Sequence, residues 1–174
     1  METVLDAAEI ESIRILAHEE ALTKPSWDER KLAPTTKETA DHSFHYCVAV
    51  ALVAGEVTPW QFSDEWLRNS AVAALMAKTR LEEKPELTAL FRQGLRPAAV
   101  EVKTPRGAFH REVLRPPGDP RNLMTWDDVT KKFFTQADPI LGARLARDIV
   151  DRTFSIEKQE NMRAFAEMLG GKRT

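Results

Sequence analysis

An α+β fold is expected for this chain: a small antiparallel sheet around one buried central helix, followed by a run of C-terminal helices. Three observations lead there. The stretch from Phe44 to Ala54 is almost wholly apolar and rich in small residues, which reads as a helix buried nearly all round. Two other stretches carry strand patterning: β-branched residues cluster between Ile10 and Ala17, and Val100 and Val102 alternate with charges. Beyond residue 125 only helical patterns remain. Strands and helices that do not alternate regularly belong to the α+β class rather than a parallel α/β fold.

In chain order, Met1 to Ala8 reads as a helix tail or a frayed end. Ile10 to Ala17 is the first strand, with Ile13 and Ile15 on one face, and Pro25 breaks the segment from His18 to Lys24. Trp27 to Ala40 is polar and contains Pro34, so a surface loop is expected. The central helix starts at a cap supplied by Asp41 or Ser43 and stops at Gly55, a residue that enters the left-handed region without steric cost. Thr58-Pro59 opens a short helix, Ser63 caps a second, and Asn69-Ser70 leads a small-residue helix to Ala77. Thr79 to Glu83 reads as a strand. Lys84 to Gly94 has helical spacing at Leu87, Leu90 and Phe91 but tight bounds. Ala98 to Thr104 and Ala108 to Leu114 form a hairpin through Pro105-Arg-Gly107. Pro116 to Pro120 is a rigid loop. Thr125 caps a helix from Trp126 to Ala137, Pro139 opens another to Phe154, and Ser155 caps a third to Leu169, ended by Gly170-Gly171 and a basic tail. Two parts are expected: residues 1–124 as the α+β domain and 125–174 as a helical segment.

A chain of 174 residues can bury a real core. With 43% hydrophobic and 30% charged residues it has globular rather than disordered composition. A net charge of -2 gives no field to recruit nucleic acid or a membrane surface. The apolar stretch of ~11 residues is too short for a bilayer, which needs about 20. The single cysteine, Cys47, excludes an internal disulfide and is expected as a packed thiol. Acids rather than a basic-then-apolar leader open the chain, so the cytoplasm is the expected compartment.

The chemistry-bearing residues gather at the start of the central helix: His42, Ser43, His45 and Tyr46. Unpaired N–H groups and the helix dipole favour an anion at such an end. His42 and His45 are spaced i, i+3, but no third ligand stands at metal-site spacing, so no metal is expected. Tyr46 reads either as a phenol bonded to backbone or as a proton donor. Composition and spacing name no reaction.

The stretch Thr39-Ala-Asp-His-Ser-Phe-His-Tyr46 to Gly55, continued through Trp60-Gln-Phe62, resembles the core of the C-terminal domain of the MmgE/PrpD family. The strand Ile10 to Leu16, Pro117-Gly-Asp-Pro-Arg-Asn122 and Trp126-Asp-Asp-Val-Thr-Lys-Lys-Phe133 match in the same order. The resemblance implies a lyase family that includes 2-methylcitrate dehydratase, acting on small polycarboxylates by proton transfer without metal, iron–sulfur cluster or other cofactor. It implies an α+β lid over a helical domain that holds most catalytic groups, with the site between them. Tyr46 is then the expected catalytic residue, and His42, Ser43 and His45 the expected substrate-binding residues. Because the helical domain is not matched by this chain, activity is expected only with that domain, in cis or in trans. The rival expectation is a non-catalytic module that dimerises or binds a partner, motivated by the apolar stripes of the last helices. A stand-alone small-molecule binder is a third.

Overall fold

In the computed structural model, which describes residues 5–23 and 28–170, the chain divides into two compact units, Met1–Asn122 and Leu123–Thr174. The break expected at Pro25, the first four residues and the basic tail lie outside the described residues.

The first unit is built on a four-stranded sheet. Strand β1 (Ser12–Ala17) is central, β2 (Thr79–Glu83) and β3 (Ala98–Thr104) flank it, and β4 (Gly107–Val113) forms the outer edge, giving the order β2-β1-β3-β4. The sheet is mixed rather than wholly antiparallel. β3 runs antiparallel to β1 and β4, with Ile13 opposite Val102 and Val102 opposite Phe109, but β2 lies parallel to β1 with Ile13 opposite Thr79. A hairpin forces antiparallel pairing. The long connection from Ala17 to Thr79 does not, and its helices return the chain to the starting end of the sheet.

Between β1 and β2 lie α1 (Lys37–Asp41), α2 (Phe44–Ala54), α3 (Asp64–Leu67) and α4 (Ser70–Ala77). Helix α1 falls where a loop was expected. Its start is a capping box in which Thr36 and Thr39 bond each other's backbone N–H, and it buries Ala40 completely. Helix α2 matches the expected range, capped by Ser43 and ended by Gly55 at φ 75°. The sheet face carrying Ile13, Ile15 and Val102 packs on Tyr46, Ala49 and Val50 of α2 and on Val72 and Leu75 of α4. α5 (Pro85–Arg92) covers part of the other face through Leu87 against Leu16 and Ala99. The rest of that face is charged: Arg14 bonds Glu82 on β2 at 2.8 Å and Glu101 on β3 at 2.6 Å.

The second unit holds α6 (Trp126–Leu141), α7 (Ala143–Phe154) and α8 (Met162–Leu169). Pro139 was expected to open a helix and instead sits in the last turn of α6. Near a helix end a proline removes one bond without ending the run, and the actual break is Gly142 at φ 78°. Ser155 likewise leads only a short 3-10 turn, and α8 is capped by Asn161, whose side chain accepts the Arg163 N–H. Trp126 meets Phe154 edge-on at 5.3 Å, which ties α6 to the end of α7. Ala146, Ile149 and Phe165 are buried, while Leu123, Trp126, Ile140 and Leu169 are exposed. Among the described residues no helix is long and apolar enough to cross a membrane.

Candidate functional site

The four residues singled out in the sequence fall at the α1–α2 junction, but in three different environments. Ser43 is the pivot. Its hydroxyl donates to the Lys31 carbonyl at 2.5 Å and accepts the Tyr46 N–H at 3.1 Å, so one side chain caps α2 and anchors the Glu29–Leu32 turn. The side chain is buried in doing so, and one N–H of the helix start is already satisfied from within.

Tyr46 is 1% exposed and belongs to the core. Its phenol donates to the Gln61 carbonyl at 2.6 Å, and its ring lies 5.6 Å from Phe62. The acceptor is itself fixed: Gln61 Oε1 receives the Thr58 N–H at 2.8 Å and the Thr58 hydroxyl at 2.7 Å, a capping box that holds the Pro59–Phe62 turn. Burial first, and the neighbouring Cys47 second, push the phenol's pKa up. The group therefore stays protonated at neutral pH, a donor and not a base. It forms part of an open cleft of about 580 Å³ that also meets Leu32, Pro34, Leu67, Val72 and Met76.

His45 is 4% exposed, and burial pushes its pKa down. His18 behaves alike: its ring stacks flat on Phe91 at 3.7 Å and burial favours its neutral form, with Arg96 adding to the effect and Glu20 opposing it. Groups held neutral in this way stabilise the fold fully above the ordinary histidine pKa of about 6.5 and lose that contribution as pH falls below it. The contribution of His45 and His18 to the melting temperature is therefore expected to fall between about pH 7 and pH 5, while the raised pKa of exposed His42 works the other way. The test is the difference between parent and His45→Gln: the variant is expected to lose less on acidification, and an unchanged slope would contradict the burial argument. Carboxylates held low, such as Glu82 beside Arg14, act only below their ordinary range.

His42 faces outward. Its Nδ1 lies 2.5 Å from Asp41 Oδ1 and 3.2 Å from the Glu38 carbonyl. The bond to Asp41 is the main cause of a raised pKa, with the Asp41 charge and the Glu38 carbonyl adding to it and Lys31 opposing. The ring lines a second cleft of about 430 Å³ with Asp28, Arg30, Lys31, Glu38 and Thr39. Consecutive residues of one segment, Lys31 and Leu32, thus border a charged cleft and an apolar one. Arg30 grips Asp28 through Nε at 3.0 Å and Nη2 at 2.9 Å, and Asp28 also caps the turn.

Cys47 is a packed thiol. It contacts the Ala40 carbonyl at 3.7 Å, and burial raises its pKa. Among the described residues no group of three or more His, Cys, Asp or Glu side chains is placed to hold a metal ion.

This arrangement, a capped buried helix over a mixed sheet with its polar start at a cleft, coincides with a match of residues 1–156 to the family model of the MmgE/PrpD C-terminal domain. The chain belongs to the MmgE/PrpD family. The match covers the whole first unit and runs through the end of α7. No curated protein matches the chain. The MmgE/PrpD domain places Tyr46 and Ser43 in one hydrogen-bonded unit and His42 in the neighbouring cleft. Sequence reasoning missed Arg30, Lys31, Gln61 and Asp41's bond to His42. The only signal for the first two was a charged run, Asp28-Glu-Arg-Lys31, in a segment without periodicity.

Proposed function

We propose that this MmgE/PrpD domain is the lid-like part of a cofactor-independent lyase, a dehydratase acting on small polycarboxylates of the 2-methylcitrate type, completed by the family's helical domain in cis or in trans. The observation that carries this is Tyr46, a phenol kept protonated by burial and aimed at a fixed carbonyl beside a cleft. In a dehydration the C–O bond breaks with its electron pair going to oxygen, the phenol supplies the proton, and water leaves. A base of the helical domain takes the proton from the carbon beside the carboxylate. Ser43 holds the backbone of Tyr46 in place, and His45 is buried on the same helical turn. The cytoplasm is the compartment that suits such a substrate.

The test is an ultraviolet assay for the unsaturated acid formed from 2-methylcitrate or citrate, using this chain with and without a separately expressed family helical domain. Activity only on mixing is the expected result. Activity of the chain alone would place the catalytic groups within this chain and overturn the division of labour between the two domains.

A second reading has its own observation. Leu123, Trp126 and Ile140 are 77%, 68% and 72% exposed on the second unit, which suits a dimerisation or partner-binding module. Silence in both arms of the assay, with a dimer in light scattering, would favour it.

A further inference from the structure

We propose that the stack of His18 on Phe91 is an acid-sensitive latch. It holds α5 on the sheet while the imidazole is neutral, and protonation of the ring frees α5 locally while the core between α2, α4 and the sheet stays folded. The latch lies on the sheet face away from Tyr46, so it stands apart from the lyase reading.

Helix α5 has a small apolar seat. Leu87 is buried against Leu16 and Ala99, with Leu90 packed alongside. The Thr88 hydroxyl accepts the Glu19 N–H at 3.0 Å and donates to Glu83 at 2.9 Å, and Arg92 pairs with Glu19 at 2.9 Å on the surface. His18 adds a whole ring face: its centroid lies 3.7 Å from that of Phe91, with the planes 8° from parallel. Its Nδ1 is closed to solvent and bonds to nothing among the described residues. A bare acceptor there costs little, because the neutral ring then carries its proton on Nε2. Protonation turns the same atom into a charged donor without an acceptor, which is the costly arrangement. The charged groups around the ring do not relieve it. Glu19 is committed to Arg92, Glu83 to the Thr88 hydroxyl and Lys84 to Glu112. The face of Phe91 attracts a cation, but Arg96 already stands over that ring at 4.8 Å, so a second cation meets the first. Burial, the largest effect, holds the imidazole's pKa below its ordinary value, with Glu20 opposing and Arg96 adding. The latch is therefore fully closed above the ordinary histidine pKa of about 6.5 and is lost as pH falls below it. Ordinary carboxylates titrate at about 4, well under this window.

The experiment is amide hydrogen exchange of the whole chain, read by NMR at about pH 7.5 and pH 5.5 and corrected for the intrinsic pH dependence of exchange. Opening of α5 is expected to become about three- to tenfold more frequent at the lower pH, tenfold being the ceiling for one histidine of ordinary pKa in the open form. The α5 amides should then exchange faster than those of α4. The acid response of α5 should vanish in His18→Phe, which keeps a flat ring on Phe91 without a titrating nitrogen, and persist in His45→Gln. In the parent, the His18 ring signal should titrate with a midpoint below about 6.5. A pH-independent α5 overturns the latch. So does a response that survives His18→Phe, or α5 and α4 opening together as one unit. A His18 midpoint at or above about 6.5 overturns it without any substitution.

Discussion

Tyr46→Phe, placed in an enzyme that contains this domain, is expected to lower turnover by about 10²- to 10⁴-fold, the range spanned by one general acid. KM should change little, because a donor that matters only as charge develops on the leaving oxygen contributes to the transition state and not to ground-state binding. The phenol is 1% exposed and donates to the Gln61 carbonyl. The fold is therefore weakened too: a buried carbonyl loses its partner, worth about 1–3 kcal/mol. The two effects separate in one variant. A loss of turnover with a modest loss of stability supports a donor at the site. A loss of stability with kinetics intact makes Tyr46 a structural phenol and removes it from the mechanism.

The largest effect on stability is expected from Ile13→Ala. Ile13 is 0% exposed on the central strand, paired with Thr79 on one side and Val102 on the other, and packs in the cluster formed by α2 and α4. Ladders on both flanks hold the backbone of the residue in place, which limits how far the strand itself can shift to close the space. Truncation should cost about 2–5 kcal/mol, against a total of about 5–15 kcal/mol for a domain, and the urea midpoint should fall accordingly. Ile140→Ser is the control. That residue is 72% exposed on α6, and a surface change should stay within about 0.5 kcal/mol. A comparable loss at both positions would contradict the assignment of the core.

Most of the elements were legible because their ends carry chemistry. α2 announced itself through Ser43 and Gly55, the Pro59–Phe62 turn through Thr58-Pro59, and the β3–β4 hairpin through Gly107. Strand direction was not legible, since periodicity marks which face of β2 is buried and says nothing of which way it runs. α1 escaped because its capping box uses threonine at both ends where glutamate or glutamine is the usual third residue. Pro139 misled because a proline near a helix end and one at a helix start look alike in sequence. At the site, residue types were readable and environments were not. Tyr46 and His42 lie four apart, yet one is buried at the edge of a cleft and the other open, because α1 ends at Asp41 and the chain turns before α2. The Asp41–His42 contact depends on that turn, since adjacent residues within one helix do not face each other.

Strand β4 ends the sheet with one row of backbone donors and acceptors unclaimed by a further strand among the described residues. Such a row is a template on which another chain can grow a strand, and the usual outcome of an unguarded one is aggregation. This edge carries Arg111 and Glu112, with Pro105 in the hairpin turn and Pro116-Pro117 just beyond the strand's end. Charges are costly to bury between stacked sheets, and prolines lack the N–H that would let the ladder extend past either end. The charges within β4 and the prolines that flank it are thus features that guard such an edge against pairing with another chain.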